Sequence, residues 1–120
     1  MTKAHVNIEV PGWEPVCSGK VRELYAFGDH YVMVASDRIS AFDCILPTGI
    51  PNKGRALTEI SKFWFRQTRS IVSNHWLMDV ALPEAFAPYA GQSLVCEKLT
   101  PIPVECVVRG YIAGSGWSEY

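Results

Sequence analysis

Ser18-Gly19-Lys20-Val21-Arg22-Glu23-Leu24-Tyr25, then Gly28-Asp29, then Tyr31-Val32-Met33-Val34-Ala35, is the stretch on which the fold turns. Two β-rich runs around a Gly-Asp pair read as an antiparallel hairpin spanning residues 20–36. Val21 and Leu24 are its apolar positions, and Lys20 and Arg22 alternate onto one strand face. Gly19, just ahead of the two basic residues, lets a backbone approach a ligand closely. The fragment fits a hairpin lying over a phosphate-bearing ligand, and it equally fits an ordinary exposed basic face. Neither GxxxxGK[ST] nor GxGxxG is present, so a P-loop and a Rossmann dinucleotide site are excluded as its basis.

Downstream of the hairpin, Ser36-Asp37-Arg38-Ile39-Ser40-Ala41-Phe42-Asp43 crowds two carboxylates, a guanidinium and two hydroxyls into eight residues at a strand end. Such positions often carry binding residues. A capped turn, with Asp37 or Ser40 bonding nearby N–H groups, is the structural alternative. Residues 45–51 suggest a short strand and turn. Residues 56–67 give the principal helix, with Ala56, Leu57, Ile60, Phe63 and Trp64 on one face and Glu59, Lys62 and Arg66 elsewhere. The Phe63-Trp64-Phe65 run reads as core or interface in preference to a ligand platform. His75 is an acid or base by residue type, without a partner visible in sequence, and a structural role is the default. Residues 83–87 suggest a helical turn, and 92–99 and 104–109 two more strands. The last of these, with Val104, Cys106, Val107 and Val108, reads as buried, delivering Arg109 into Gly114-Ser115-Gly116. A planar guanidinium beside open backbone amides suits a phosphate or carboxylate. The fold class is α+β: a mostly antiparallel sheet with one principal helix packed on it.

Composition fits one domain of 120 residues, 48% hydrophobic and 19% charged. A net charge of −1 argues against a non-specific nucleic-acid or membrane surface. No apolar run approaches the ~20 residues of a membrane span, and the start lacks a signal-peptide core. The four cysteines, Cys17, Cys44, Cys96 and Cys106, are dispersed without a CxxC pair, which fits reduced thiols in a cytoplasmic protein better than zinc or disulfides. There are no repeats or low-complexity blocks.

SGKVRELY, SDRISAFD, IPNKGRALTEISKFWF and PVECVVRGYIAGSG, in that order, resemble the N-terminal part of the SAICAR synthetase (phosphoribosylaminoimidazole-succinocarboxamide synthase) family, from about Cys17 to Tyr120. The resemblance implies a nucleotide- and substrate-binding domain over residues 1–120, with a shape like the ATP-binding lobes of ATP-grasp enzymes and kinases. The family's C-terminal half lies outside this chain. It also implies an ATP-dependent ligase of purine biosynthesis that joins carboxyaminoimidazole ribotide to L-aspartate through an acyl phosphate. Three anionic reactants explain the need for Arg, Lys, metal and backbone donors.

Carried over by motif, Gly19, Lys20 and Arg22 match the phosphate-covering hairpin. Glu97, Lys98 and Leu99 match the segment along the adenine, where backbone groups would read the base edge. Arg109 and Ser115 match positions for the imidazole ribotide, and Asp37, Arg38, Ser40 and Asp43 belong to a segment beside the substrates. Lys53 and Gly54 fit either a substrate-reaching loop or a helix start. Mg2+ is implied with ATP, its ligands expected in the C-terminal half and none in this chain, and no catalytic residue is assigned. The alternative is a non-catalytic module that binds a nucleotide or self-associates through apolar surface, forming a homo-oligomer. A kinase-like phosphotransferase lacks its HRD and DFG segments here.

Overall fold

Gly28 adopts φ 54°, a left-handed conformation that costs glycine nothing, and so turns the chain between two six-residue strands. These strands are β2 (Arg22–Phe27) and β3 (His30–Ala35), paired antiparallel from Arg22↔Ala35 to Phe27↔His30. The computed structural model describes residues 3–120. In chain order the other elements are β1 (Pro15–Ser18), the two-residue strands β4 (Ser40–Ala41) and β5 (Cys44–Ile45), and helix α1 (Lys53–Thr68). A 3-10 helix (Glu84–Gln92), β6 (Ser93–Glu97) and a short α2 (Ser115–Glu119) follow. The main sheet runs β1-β2-β3-β6, every neighbouring pair antiparallel. Residues 75–77 extend its β6 edge: the Leu77 N–H donates to Val95 O at 2.9 Å and the Glu97 N–H to His75 O at 2.8 Å. The observed α+β architecture, an antiparallel sheet with one long helix, is the one the sequence pattern indicates.

Strand alternation sorts the sheet into two faces. Tyr25, Val32 and Val34 point to one side, where Ile8, Val10 and Phe86 complete a fully enclosed core. The rings of Tyr25 and Trp13 stand edge-on to Phe86 with centroids 5.1 and 5.0 Å away. The Tyr25 hydroxyl donates to Ile8 O at 3.2 Å, so this buried polar group is satisfied. The opposite face, carrying Leu24, Tyr31, Met33 and Cys96, is only partly covered by α1 and lines an open groove.

Two sequence expectations fail here. Helix α1 covers the expected segment but turns the other face inward. Its buried residues are Gly54 and Thr58, while Ile60, Phe63 and Trp64 remain 52–58% exposed. The cause is a close backbone approach: a Cβ on Gly54 would run into the Ala35 carbonyl oxygen. Only the side with the smallest residue can meet the sheet there. Residues 104–109 are not a buried strand. They are exposed and irregular, and the Val104 N–H turns back to Ile102 O at 2.7 Å. β-formers become a strand only against a partner edge, and the β6 edge is already occupied by residues 75–77.

Candidate functional site

The turn between β1 and β2 is closed by the Gly19 N–H donating to Arg22 O at 2.7 Å, which leaves Lys20 exposed at the tip. Lys20 forms an ion pair with Asp43, which sits beyond Phe42 at the tip of the β4–β5 hairpin. Phe42 and Asp43 hold φ of 49° and 63°, conformations costly for residues other than glycine and often found at functional loops. The Lys20 ammonium, by hydrogen bond and charge, holds the Asp43 carboxyl below its ordinary range. Arg22 does not share the Lys20 tip. It begins β2 and lines, with Met33, Ala35, Thr58, Phe65 and His75, a cavity of about 120 Å³ beneath α1.

Asp37 and Arg38 face inward. One Asp37 oxygen accepts the His5 N–H and the other the Gly54 N–H, both at 2.8 Å, and the residue is fully buried. The second contact caps α1 from a distance, in place of its own Asn52, whose side chain makes no cap bond. The Arg38 guanidinium donates to Lys20 O (2.9 Å), Gly19 O (3.0 Å), Val6 O (2.8 Å) and Glu23 Oε1 (2.6 Å). Lys53 Nζ donates to Arg38 O at 2.8 Å, so Lys53 and Gly54 both serve the start of the helix. Ser40 is half-buried and pairs with Ile45 across the small hairpin.

The groove on the open face has a volume of about 550 Å³. Leu24, Tyr31, Met33 and Cys96 form its sheet side, with Glu97, Leu99 and Pro101 along its rim. Lys98 turns away from it, its ammonium donating to Gly28 O at 2.7 Å and lying 5.1 Å from the Tyr31 ring centroid. Glu97 and Leu99 line the groove, and the Glu97 N–H is taken by His75 O. Burial pushes the Cys96 thiol up to about 11, so it stays a neutral apolar lining group. Arg109 and Ser115 do come together: Nη2 donates to Ser115 Oγ at 3.2 Å. The guanidinium lies over Gly114 and Gly116, where a Cβ on Gly114 would come within 3.3 Å of it. Among the described residues no group of three or more His, Cys, Asp or Glu side chains is placed to hold a metal ion.

Glu23, Tyr31 and Met33 were not singled out as site residues by sequence, and His75 was read only as an acid or base by residue type with a structural role as the default. The period-2 pattern that puts Leu24, Tyr31 and Met33 on one face was the available signal. His75 lines both the groove and the smaller cavity. Burial and the nearby Arg22 charge lower its pKa from the ordinary 6.5. A depressed folded-state pKa favours the fold above the unfolded value and withdraws that stability as pH falls. His75→Gln is therefore expected to gain stability relative to the wild type as pH drops below about 6.5. Urea midpoints at pH 7.5 and 5.5 check this, and parallel changes in both proteins would contradict it.

The model of the SAICAR synthetase family matches residues 15–120. The chain belongs to the SAICAR synthetase family. It is 53% identical over 116 residues to the phosphoribosylaminoimidazole-succinocarboxamide synthase of Thermobifida fusca, covering 96% of this chain and 38% of that protein. The Desulforapulum autotrophicum protein of the same name is 48% identical over 126 residues, covering all of this chain and 43% of the relative. Among solved structures, SAICAR-synthase from Saccharomyces cerevisiae complexed with SAICAR superposes with a TM-score of 0.85 at 39% identity, over 98% of this chain and 44% of that one. The chain thus spans less than half the length of these SAICAR synthetase relatives.

Proposed function

We propose that this chain forms the nucleotide-binding half of an ATP-dependent carboxylate–amine ligase that makes SAICAR. The observation that carries the reading is the groove on the uncovered sheet face, with the Lys20 turn at the hairpin's far end and Glu97 and Leu99 on its rim. Adenine would lie between Leu24, Tyr31, Met33 and Leu99. The Glu97 carbonyl would accept from its exocyclic amine and the Leu99 N–H donate to a ring nitrogen. Lys20 would meet the phosphates from the turn, with Arg22 adding only positive charge from the start of β2, and Arg109 with Ser115 would hold the ribotide phosphate, a guanidinium and a hydroxyl being suited to that anion.

In the proposed reaction a carboxylate oxygen of carboxyaminoimidazole ribotide attacks the γ-phosphorus and ADP leaves. The aspartate amine then attacks the acyl carbon, gives up a proton, and phosphate leaves. Such chemistry depends on alignment and neutralised charge, and alignment alone can lower a barrier by about 7–11 kcal/mol. Mg2+ would accompany ATP, and among the described residues no group of three or more His, Cys, Asp or Glu side chains is placed to hold it without the phosphates.

The test is ADP release with Mg-ATP, the ribotide and L-aspartate, comparing this chain with a fusion that adds the C-terminal portion of the Thermobifida fusca relative. Turnover requiring all three substrates in the fusion is expected, and its absence would sink the ligase reading. A second reading, self-association, is favoured by the exposed Ile60, Phe63 and Trp64 on α1. Sedimentation of the chain alone decides it: a monomer at high concentration would exclude it.

A further inference from the structure

We propose that Arg38 is a positioning residue that holds the Gly19-Lys20 turn in the shape from which Lys20 reaches a triphosphate. The inference rests on the nucleotide reading of the groove given above. A substrate-binding arginine needs free N–H groups, and this side chain has committed four of its five. Nε and both terminal nitrogens donate to three carbonyls and one carboxylate from four positions in the chain, Val6, Gly19, Lys20 and Glu23. The side chain is 14% exposed and its Glu23 partner 9%, so the charge pair is sheltered from the solvent screening that weakens surface pairs. Two of the four acceptors are consecutive carbonyls of the turn itself, and a rigid planar fork is suited to fixing them together.

The neighbouring groups support the same role. The Ser36 hydroxyl accepts the Arg38 N–H at 3.3 Å and donates to Val21 O at 2.9 Å, just past the turn. Lys53 Nζ grips the Arg38 carbonyl, linking the start of α1 to the same residue. The basic tip is therefore braced from behind, while the Lys20 ammonium stays outside, engaged with exposed Asp43. A flexible loop would have to order itself around phosphates on binding; a braced one has been ordered by folding, which lowers the entropic cost of association.

The experiment compares ATP and adenosine binding to the 120-residue chain by calorimetry for the wild type, Arg38→Ala, Arg38→Lys and Glu23→Gln. Alongside it, the rate of trypsin cleavage after Lys20 is measured without nucleotide by mass spectrometry. Arg38→Ala and Arg38→Lys are expected to weaken ATP about tenfold or more while adenosine changes less than twofold, and to speed cleavage after Lys20 at least tenfold. Glu23→Gln, which keeps the three carbonyl contacts, should fall between them and the wild type. An equal loss for ATP and adenosine indicates general unfolding and overturns the proposal. So does wild-type behaviour of Arg38→Lys, since charge alone would then suffice. If Arg38→Ala fails to fold, the lysine and Glu23→Gln variants carry the comparison. If the wild-type chain binds neither compound, the nucleotide reading fails, and cleavage after Lys20 decides the brace: faster cutting in the Arg38 variants upholds it, an unchanged rate overturns it.

Discussion

Asp37→Ala is expected to destabilise the chain by about 3–5 kcal/mol, from two backbone hydrogen bonds to a buried carboxylate at roughly 1.5–3 kcal/mol each. The side chain joins His5 of the N-terminal segment to Gly54 of α1. Its backbone adds the Asp37 N–H to His5 O at 2.8 Å and the Ile50 N–H to Asp37 O at 2.9 Å. Removing the carboxylate strands a buried donor at Gly54 and a part-buried one at His5. Against a total stability of about 5–15 kcal/mol for a domain, that loss is large. Urea unfolding at constant slope measures it. Asp37→Asn should recover part of the loss, because one amide oxygen still accepts while the NH2 group faces the other donor. A cost under about 1 kcal/mol for the alanine variant would show that Asp37 is not the joint described.

Lys20→Ala is expected to weaken ATP binding by about 10–100-fold, the range for one charged hydrogen bond to phosphate. Adenosine affinity and the thermal midpoint should stay unchanged, because Lys20 and Asp43 are both exposed and the body of the sheet does not lean on them. The expected contrast with Arg38 is that Lys20 would act on the ligand and Arg38 on Lys20. Equal ATP affinity in wild type and Lys20→Ala would remove Lys20 from the phosphate site.

Much of this was readable in the sequence, for identifiable reasons. The hairpin followed from Gly28-Asp29 between two β-forming runs, and the pairing from Arg22↔Ala35 to Phe27↔His30 is what that spacing gives. Helix α1 was found from its period, yet Ile60, Phe63 and Trp64 proved to face outward while Leu57 and Phe65 line the cavity beneath it. Hydrophobic periodicity identifies a face but not what it meets, and at Gly54 a backbone contact with Ala35 outweighed it. Residues 104–109 carried strand propensity but pair with no strand, the β6 edge being taken by residues 75–77, and propensity alone does not make a strand.

In the candidate site, the residue types marked the polar segments but not which groups turn inward and which stay outside. Asp37 and Arg38 fall in one tripeptide with Ser36, and sequence cannot say that these polar groups turn inward. That depends on partners such as His5 and Val6, more than thirty positions away in the chain. Arg109 and Ser115, six positions apart, were close enough for local reasoning, and they do meet. The Glu97–Leu99 segment was assigned by resemblance, and its placement along the rim of the groove adds a reason that resemblance could not supply.

The central claim, that the uncovered sheet face is a nucleotide site, is tested most directly by amide chemical shifts of the isotopically labelled chain titrated with a non-hydrolysable ATP analogue. The shifts are expected to concentrate at Gly19 to Val21, at Leu24 and Met33, and at Lys98 and Leu99, with the Leu99 N–H moving as a new hydrogen bond forms. Saturable shifts confined to the opposite face around Ile8, Tyr25 and Phe86, or no saturable shifts at all, would contradict it.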